Sequence, residues 1–557
     1  MNALEYHEVT KHFFNRFARS AGYLDWASQP NPFRRFEGAS ELALSREAVA
    51  PEVPYESLFD GSSRALPMQH ETVSELLRCA MGLSAWKQHQ TSRWALRVNP
   101  SSGNLHPTET YIVWSDRVYH YAPREHALEE RCVLGHSPES GFLSSTHQHL
   151  LVGLTSIFWR EAWKYGERAF RYCQHDLGHA LGALRLSAAR LGWKMRLMTD
   201  WSDADIATLL GVDRDEDFGD AEREAPECLA LVSVPENAGS PSAGFRDAAL
   251  ERDDRSIWLE AAREGAWTGR ANRLSPSRVE WPIIDAVAEA TRYPGTANSS
   301  RPASHAVGRN SAPGGPSART IFLQRRSALA FDGRTTLPRE AFLGMLSRVR
   351  HEQPPWDVAP WPPHVHLALF VHRVEGLAPG IYAFLRDTSA AAEWRDAMRS
   401  QFLWEPLRDP VGRVRDGELY FLLPFDMTWP AARVSCDQDI AADGFFSLAM
   451  VGRVGSSIRR HGEWFYRRLF WEAGLIGQVL YLEAEAVGFS ATGIGCFYDD
   501  AVHELLGLAL ESRSSTRDEE DQFDARQSEW QSLYHFTVGR PVVDARLTSE
   551  PGYAWER

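Results

Sequence analysis

Apolar residues recur at helical spacing near the start of the chain. Val73, Leu76, Leu77, Ala80 and Met81 share one face and predict a helix over 72–86. The pattern then changes. Residues 97–111 hold two prolines, a glycine, an asparagine and small hydroxyl residues, and run into Tyr111-Ile-Val-Trp114. Pro and Gly punctuate a loop, and the β-branched and aromatic run predicts a strand after it. A second strand is predicted at 118–121. Helical periodicity returns over 169–191, with Leu177, Leu181, Leu184 and Ala188 on the apolar face, and stops at Gly192, a plausible C-cap.

The same pattern occurs twice. The stretch from His175 to Gly192 aligns without gaps with Trp471 to Gly488, an offset of 296 residues at both ends. Gly178/Gly474, Leu184/Leu480, Leu186/Leu482, Ala188/Ala484 and Gly192/Gly488 are identical. Asp203/Asp499, Leu209/Leu505, Leu210/Leu506 and Gly211/Gly507 continue the match at the same offset. Tyr119 of Val-Tyr-His-Tyr matches Tyr382 of Ile-Tyr-Ala-Phe at a different offset. Two amphipathic helices resemble each other by chance, but a shared helix, glycine stop and following Asp…Leu-Leu-Gly do not arise that way. Two similar domains are therefore expected to be fused and to pack as a pseudo-symmetric pair. The expected division is an N-terminal extension over 1–69, repeat 1 over 70–235, a linker with a helical segment over 236–319, repeat 2 over 320–546, and a tail over 547–557. The linker is richest in Pro, Gly and Ser over 293–319. Residues 511–529 are polar and charged and are expected to be a disordered insertion. The N-terminal extension mixes aromatics with arginines and is expected to pack as an arm on a domain.

Composition narrows the class. The 557 residues are 43% hydrophobic and 24% charged, with a net charge of −14. That fits a globular protein with a sizeable core and argues against general nucleic-acid binding, which needs a basic surface. The six cysteines form no C-x-x-C pair and read as scattered cytosolic thiols. No signal peptide is evident, and no apolar run approaches the ~20 residues of a membrane span. The expected location is cytoplasmic, with no membrane partner.

Several residues invite chemical readings. In the 97–111 loop, Pro100, Ser101, Ser102 and Asn104 place polar donors where they can converge on a ligand, and Gly103 permits close backbone approach. An ordinary turn before a strand is the alternative. His175 and His179 stand one helical turn apart, as in a zinc-binding H-E-x-x-H motif, but Asp176 replaces the Glu and no third ligand is evident, so no metal is expected. His147/His149 and His364/His366 alternate on strands, which does not make a metal site. No P-loop or G-x-G-x-x-G follows a strand.

With these stretches in view, both halves resemble the FMN-dependent nitroreductase fold. They are similar in particular to its tandem, peptide-modifying branch, which includes the azoline dehydrogenases that oxidise thiazolines and oxazolines to thiazoles and oxazoles. The resemblance implies an α+β fold of two fused domains, each a sheet flanked by helices, forming a pseudo-dimer with FMN at the interface. Arg325-Arg326-Ser327 matches the family's early Arg-x-Ser for phosphate and ribityl. Gly493-Ile494-Gly495 matches the segment near the ring's redox nitrogen, and Arg540 matches the closing basic residue. Repeat 2 has Pro362-Pro363-His364 where repeat 1 has the Pro100-Ser-Ser-Gly-Asn104 loop. Repeat 1 lacks an Arg-Arg-Ser and has Leu197-Met198 in place of Gly493-Ile494. Leu329 stands where the family often has a second Arg. Only one pairing is complete, which implies one FMN per chain, between the repeats.

Lys164-Tyr165 resembles the Lys-Tyr pair of the azoline dehydrogenases, implying proton removal by a desolvated Lys with Tyr as a donor or relay. A surface Lys packed beside Tyr is the alternative, and Arg168 and Arg171 are alternative anchors. The implied activity is two-electron transfer between flavin and a small or peptide-derived substrate, most readily dehydrogenation. An NAD(P)H-dependent reductase of nitro, quinone or enone compounds, with NAD(P)H binding transiently, is one alternative. A flavin-free binding scaffold is the other. Further oligomerisation is left open.

Overall fold

A computed structural model describes residues 1–61, 63–135, 148–235, 252–295, 315–352, 354–508 and 529–556. Residues 511–528 of the insertion expected at 511–529, most of the Pro/Gly/Ser-rich linker (296–314) and His147 lie outside the described residues.

Fifteen strands carry the argument. The first half holds β1 (Leu83–His89), β2 (Ser92–Arg97), β3 (Thr108–Trp114), β4 (Arg117–Ala122), β5 (Ala127–Val133), β6 (His149–Ser156), β7 (Lys194–Leu197) and β8 (Ala225–Ser233). The second holds β9 (Val365–Val371), β10 (Gly380–Phe384), β11 (Leu419–Pro424), β12 (Phe446–Arg453), β13 (Ser490–Ile494), β14 (Trp530–Gly539) and β15 (Thr548–Pro551). Four helices matter here: α1 (His70–Ala80), α2 (Phe158–Tyr165), α3 (Ala169–Arg190) and α4 (Phe465–Ala486).

Each half builds one antiparallel sheet. The order is β5-β4-β3-β6-β8-β7 in the first and β11-β10-β9-β12-β14-β13 in the second. Taken position by position, the two orders are the same, so the repeat extends from sequence to topology. Tyr119 on β4 and Tyr382 on β10 occupy corresponding strands. Alternation along the strands separates the faces. Ile112 and Val152 join a core continuous with α3 and α4, whereas Tyr111, Val113 and Leu151 face a second cluster with Trp201, Leu209 and Trp258. The second sheet has its own outer cluster around Trp394, Leu422 and Leu506.

The halves join along α3 and α4, each 22 residues long. Every residue of α3 is buried, although it carries Arg171, Gln174, His175, Asp176 and His179. Gly178 and Gly474 meet where the helices cross. A Cβ on Gly178 would lie 2.3 Å from the Trp471 carbonyl oxygen, and one on Gly474 would lie 2.3 Å from that of His175. Those are the same contact with the repeats exchanged. The ion pairs are reciprocal as well: Arg171 reaches Asp499 at 2.8 Å and Arg467 reaches Asp203 at 2.6 Å. The contacts at this joint thus recur with the two repeats exchanged.

One expectation needs correction. The helix expected to reach residue 86 ends at Ala80, and residues 83–97 form the β1–β2 hairpin. β1 also pairs with β15, from Gln88 with Thr548 to Ala85 with Pro551. Its partner is more than 450 residues away, so local periodicity misread the segment. The N-terminal arm contacts both halves. It begins with a helix, Ala3–Val9; the Tyr6 hydroxyl donates to the Glu167 carbonyl at 2.6 Å, and the His12 N–H donates to Asp499 at 2.8 Å. No helix among the described residues is long and apolar enough to cross a membrane.

Candidate active site

A cavity of about 430 Å³ opens between the halves, in the range typical of small-molecule sites. Repeat 1 contributes the 99–104 loop, Lys87 of β1, Tyr165 of α2, and Tyr172, Asp176 and His179 of α3. Repeat 2 contributes 325–329, Tyr481 of α4, the segment 492–496 and Tyr534 of β14. Pro100, Ser101, Ser102, Asn104, Tyr165, Arg325, Arg326, Ser327, Gly493, Ile494 and Gly495 all border it. Residues more than 220 positions apart thus meet at one wall.

One end is cationic. The Arg325 guanidinium donates to the carbonyls of Arg97 (3.2 Å) and Val98 (2.9 Å) and stands over the Tyr481 ring at 5.0 Å. Arg326 donates to the Ser84 carbonyl at 2.8 Å. Neither forms an ion pair with a carboxylate among the described residues. Burial, with the neighbouring Arg325 charge, draws Arg326 down to about 10, and burial, then Arg326, draws Lys87 down. Three cations tied mainly to neutral partners favour an anion. Buried polar atoms without a hydrogen-bond partner include Arg325 Nε, Asn99 Oδ1, His106 Nδ1 and His179 Nδ1.

The opposite wall is close-packed backbone. A Cβ on Gly493 would lie 2.0 Å from Tyr534 Oη, and one on Gly495 would lie 2.0 Å from Tyr172 Cε1. Glycine is required at both because aromatic rings pack directly on the backbone. The Gly493 N–H donates to Tyr481 Oη at 2.8 Å, and the Ser327 hydroxyl pairs with the same oxygen at 2.9 Å.

The 99–104 loop is anchored by α3. Ser102 N–H donates to both Asp176 carboxylate oxygens (3.0 and 3.1 Å), and its hydroxyl donates at 3.0 Å. Ser101 Oγ accepts from His106 N–H at 2.8 Å, and the Asn104 amide donates to the Ala95 carbonyl at 2.9 Å. Burial pushes Asp176 up to about 7, against the hydrogen bonds from Ser101 and Ser102. Burial and then Asp176 push Glu161 of α2 well above the usual carboxylate range. The two carboxyls form a pair that holds a proton near neutrality. The sequence reading weighed Asp176 only as the middle of a zinc motif and passed over Glu161; the available signal was an Asp one turn before a run of apolar helix positions.

Two predicted residues lie elsewhere. Arg540 does not border the cavity. It is exposed beyond the end of β14, with its carbonyl tied to Asp332 N–H at 3.1 Å. Lys87, from the unforeseen hairpin, supplies the extra basic group. Lys164 is exposed at the rim, 5.1 Å from the Tyr165 ring centroid, with Nζ 3.3 Å from where a Gly103 Cβ would stand. Tyr165 is half-buried and packs on Tyr172 at 4.2 Å. Arg168 and Arg171 are committed to Asp499. His175 donates to the Leu533 carbonyl at 3.0 Å, and His179 Nε2 lies 3.2 Å from Tyr534 Oη.

The repeat-related position differs. Glu472, the counterpart of Asp176, accepts from His364 N–H at 3.1 Å, as Asp176 does from Ser102, but also pairs with the Arg386 guanidinium. Arg185, the counterpart of Tyr481, is bound to Asp357 at 2.7 Å.

These features define an α+β protein of two like halves enclosing one composite, cationic, aromatic-walled cavity. A model of the nitroreductase family matches residues 64–219 and 323–514. The chain belongs to the nitroreductase family and is an oxidoreductase of that family. A nitroreductase-type protein of Anabaena variabilis ATCC 29413 is 20% identical over 97% of this chain and 99% of its own, with a TM-score of 0.63. The whole two-sheet fold therefore recurs there. The E. coli microcin synthetase McbBCD complex with truncated pro-MccB17 bound is 21% identical over 35% of this chain and 71% of that chain, with a TM-score of 0.24. A nitroreductase-type protein of Ralstonia eutropha JMP134 is 15% identical over 36% of this chain and 95% of its own, with a TM-score of 0.27. The curated proteins give no match.

Proposed function

We propose that the chain is an FMN-dependent dehydrogenase, with one FMN per chain in the composite cavity. The observation that carries this reading is the joining of two half-sites: Arg325, Arg326 and Lys87 at one end, and the Ser101–Asn104 loop facing Gly493–Gly495 beyond it. The orphaned Arg325 Nε and the glycine wall fit a phosphate and a flat ring respectively. The pairing of Glu472 with Arg386 and of Arg185 with Asp357 supports a single site.

Bound FMN supplies a two-electron acceptor; the protein supplies position and proton control. Arg325, Arg326 and Lys87 hold the phosphate. Gly493–Gly495 would border the ring, and a small or peptide-derived substrate would enter beside Tyr172. Asp176, with Glu161 behind it, takes the substrate proton. Tyr165 relays it, and Lys164 at the rim orients the substrate.

The direct test is the visible spectrum of the purified protein with flavin quantified after denaturation. One FMN per chain is expected; two per chain, or none after adding FMN, rejects the reading. Asp176→Asn is expected to remove a pH-dependent change in the bound-flavin spectrum centred near 7. An unchanged titration in the variant excludes Asp176. Lys164→Ala is expected to keep FMN and slow substrate oxidation by about 10²-fold. Turnover at the parent rate removes Lys164 from the mechanism.

A further inference from the structure

Cys436 and Cys496 are 60 residues apart in sequence, yet their Sγ atoms lie 2.7 Å apart. A disulfide needs about 2.05 Å, so a small movement would join them. Cys496 follows β13 and borders the cavity. Cys436 is half-buried in the turn after the helix Thr428–Val434, where Cys436 and Asp437 both have φ of 56°. Two side chains with Cβ atoms are thus held in the left-handed region, a strained geometry kept only where the surroundings demand it.

The surroundings hold both sulfurs. The Gln438 amide donates to the carbonyls of Ser435 (2.7 Å) and Cys496 (3.1 Å), bridging the two segments. Tyr498 N–H donates to the Val434 carbonyl at 2.9 Å. Cationic and donor groups gather on one sulfur. Arg168 reaches the Gly495 carbonyl at 3.4 Å, and His12 of the N-terminal arm lies close to Cys496. The contact with Cys436, with His12 and Arg168, draws the Cys496 thiol down against burial, and the same contact and burial push Cys436 up. The remaining cysteines, Cys79, Cys132, Cys173 and Cys228, are buried. Burial pushes Cys132 and Cys228 up to about 12. Reactive thiols are accessible ones in electropositive settings, and only this pair meets that condition.

We propose that Cys436 and Cys496 form a redox-active dithiol on the cavity wall that reduces small-molecule disulfides. The Cys496 thiolate attacks one sulfur of the small disulfide, breaking its S–S bond and releasing one thiolate. The Cys436 thiol then loses its proton and attacks Cys496 Sγ, displacing the second thiolate, which takes up that proton; the first takes one from solvent. The protein dithiol is oxidised to a disulfide and the small disulfide is reduced to two thiols. The step needs no flavin, so its outcome is independent of the cofactor reading.

The test equilibrates the purified full-length chain anaerobically in a series of reduced and oxidised glutathione buffers, followed by acid quench, alkylation and peptide mass spectrometry. Cys436 and Cys496 are expected to lose alkylation together, with a Cys436–Cys496 linked peptide, while the other four remain alkylated after denaturation. Cys436→Ser is expected to trap glutathione on Cys496, and Cys496→Ser to leave Cys436 a thiol. In the native protein, Cys496 is expected to react with iodoacetamide at pH 6 at least about tenfold faster than Cys436. Two persistent thiols in the most oxidising buffer, or separate glutathione adducts with no linked peptide, would overturn the proposal.

Discussion

Replacing Arg325 and Ser327 together with alanine is expected to weaken FMN binding by about 10²–10³-fold, measured by fluorescence titration of the apoprotein. Arg325 is buried but makes only neutral hydrogen bonds, to the Arg97 and Val98 carbonyls, and its Nε has none. Its charge is therefore available to a phosphate, and a charge-assisted bond contributes about 1.5–3 kcal/mol. Ser327 adds a neutral bond of about 1 kcal/mol. Each ~1.4 kcal/mol is tenfold in affinity, so the sum lies in the stated range. Arg540→Ala serves as the comparison, since Arg540 does not border the cavity; it is expected to change affinity less than about twofold. Equal losses in the two proteins would reject the cationic end as the phosphate site.

Asp499→Ala is expected to destabilise the fold by about 3–5 kcal/mol, because truncation leaves buried guanidinium groups without their carboxylate. Asp499 accepts from Arg168 at 2.9 Å, Arg171 at 2.8 Å and His12 N–H at 2.8 Å, so it ties both halves and the arm together. Burial alone would raise its pKa, but Arg168 and Arg171 outweigh it and hold the carboxyl well below the usual range. A depressed folded-state pKa contributes stability above the unfolded value of about 3.9, and that contribution is lost as pH falls below it. Thermal melts from pH 7 to 3 are expected to show a steeper acid loss for the parent than for Asp499→Asn. Asp203, the repeat counterpart, is expected to matter less. Its partner Arg467 also reaches Glu227 at 3.1 Å and keeps a carboxylate when Asp203 is replaced. An Asp499→Ala melt equal to that of Asp203→Ala would show that the arm and Arg168 add nothing to the joint.

The two predictions differ in how far the sequence leads to them. Arg325-Arg326-Ser327 were legible through the resemblance to the family's Arg-x-Ser, and the Pro100–Asn104 loop also through its own proline, glycine and hydroxyl residues. Asp203 and Asp499 were legible as a matched pair through the 296-residue offset. Their partners were not, because the arginines sit on the opposite repeat. Arg540 was placed by its match to the family's closing basic residue, which says nothing about which way the chain turns once it leaves the sheet.

The sequence by itself determined that the chain carries two copies of one unit, and where the long helices run and stop. Those properties follow from periodicity, glycine stops and repeat alignment, which are local or self-referential. Only the tertiary structure decided that β1 is a strand, that Lys87 joins Arg325 and Arg326, that Asp176 and Glu161 share a buried site, and that Cys436 meets Cys496. Each of these depends on packing between segments 15 to more than 450 residues apart. Burial and neighbouring charge, which set the chemistry of those groups, exist only once the two halves have closed around the cavity.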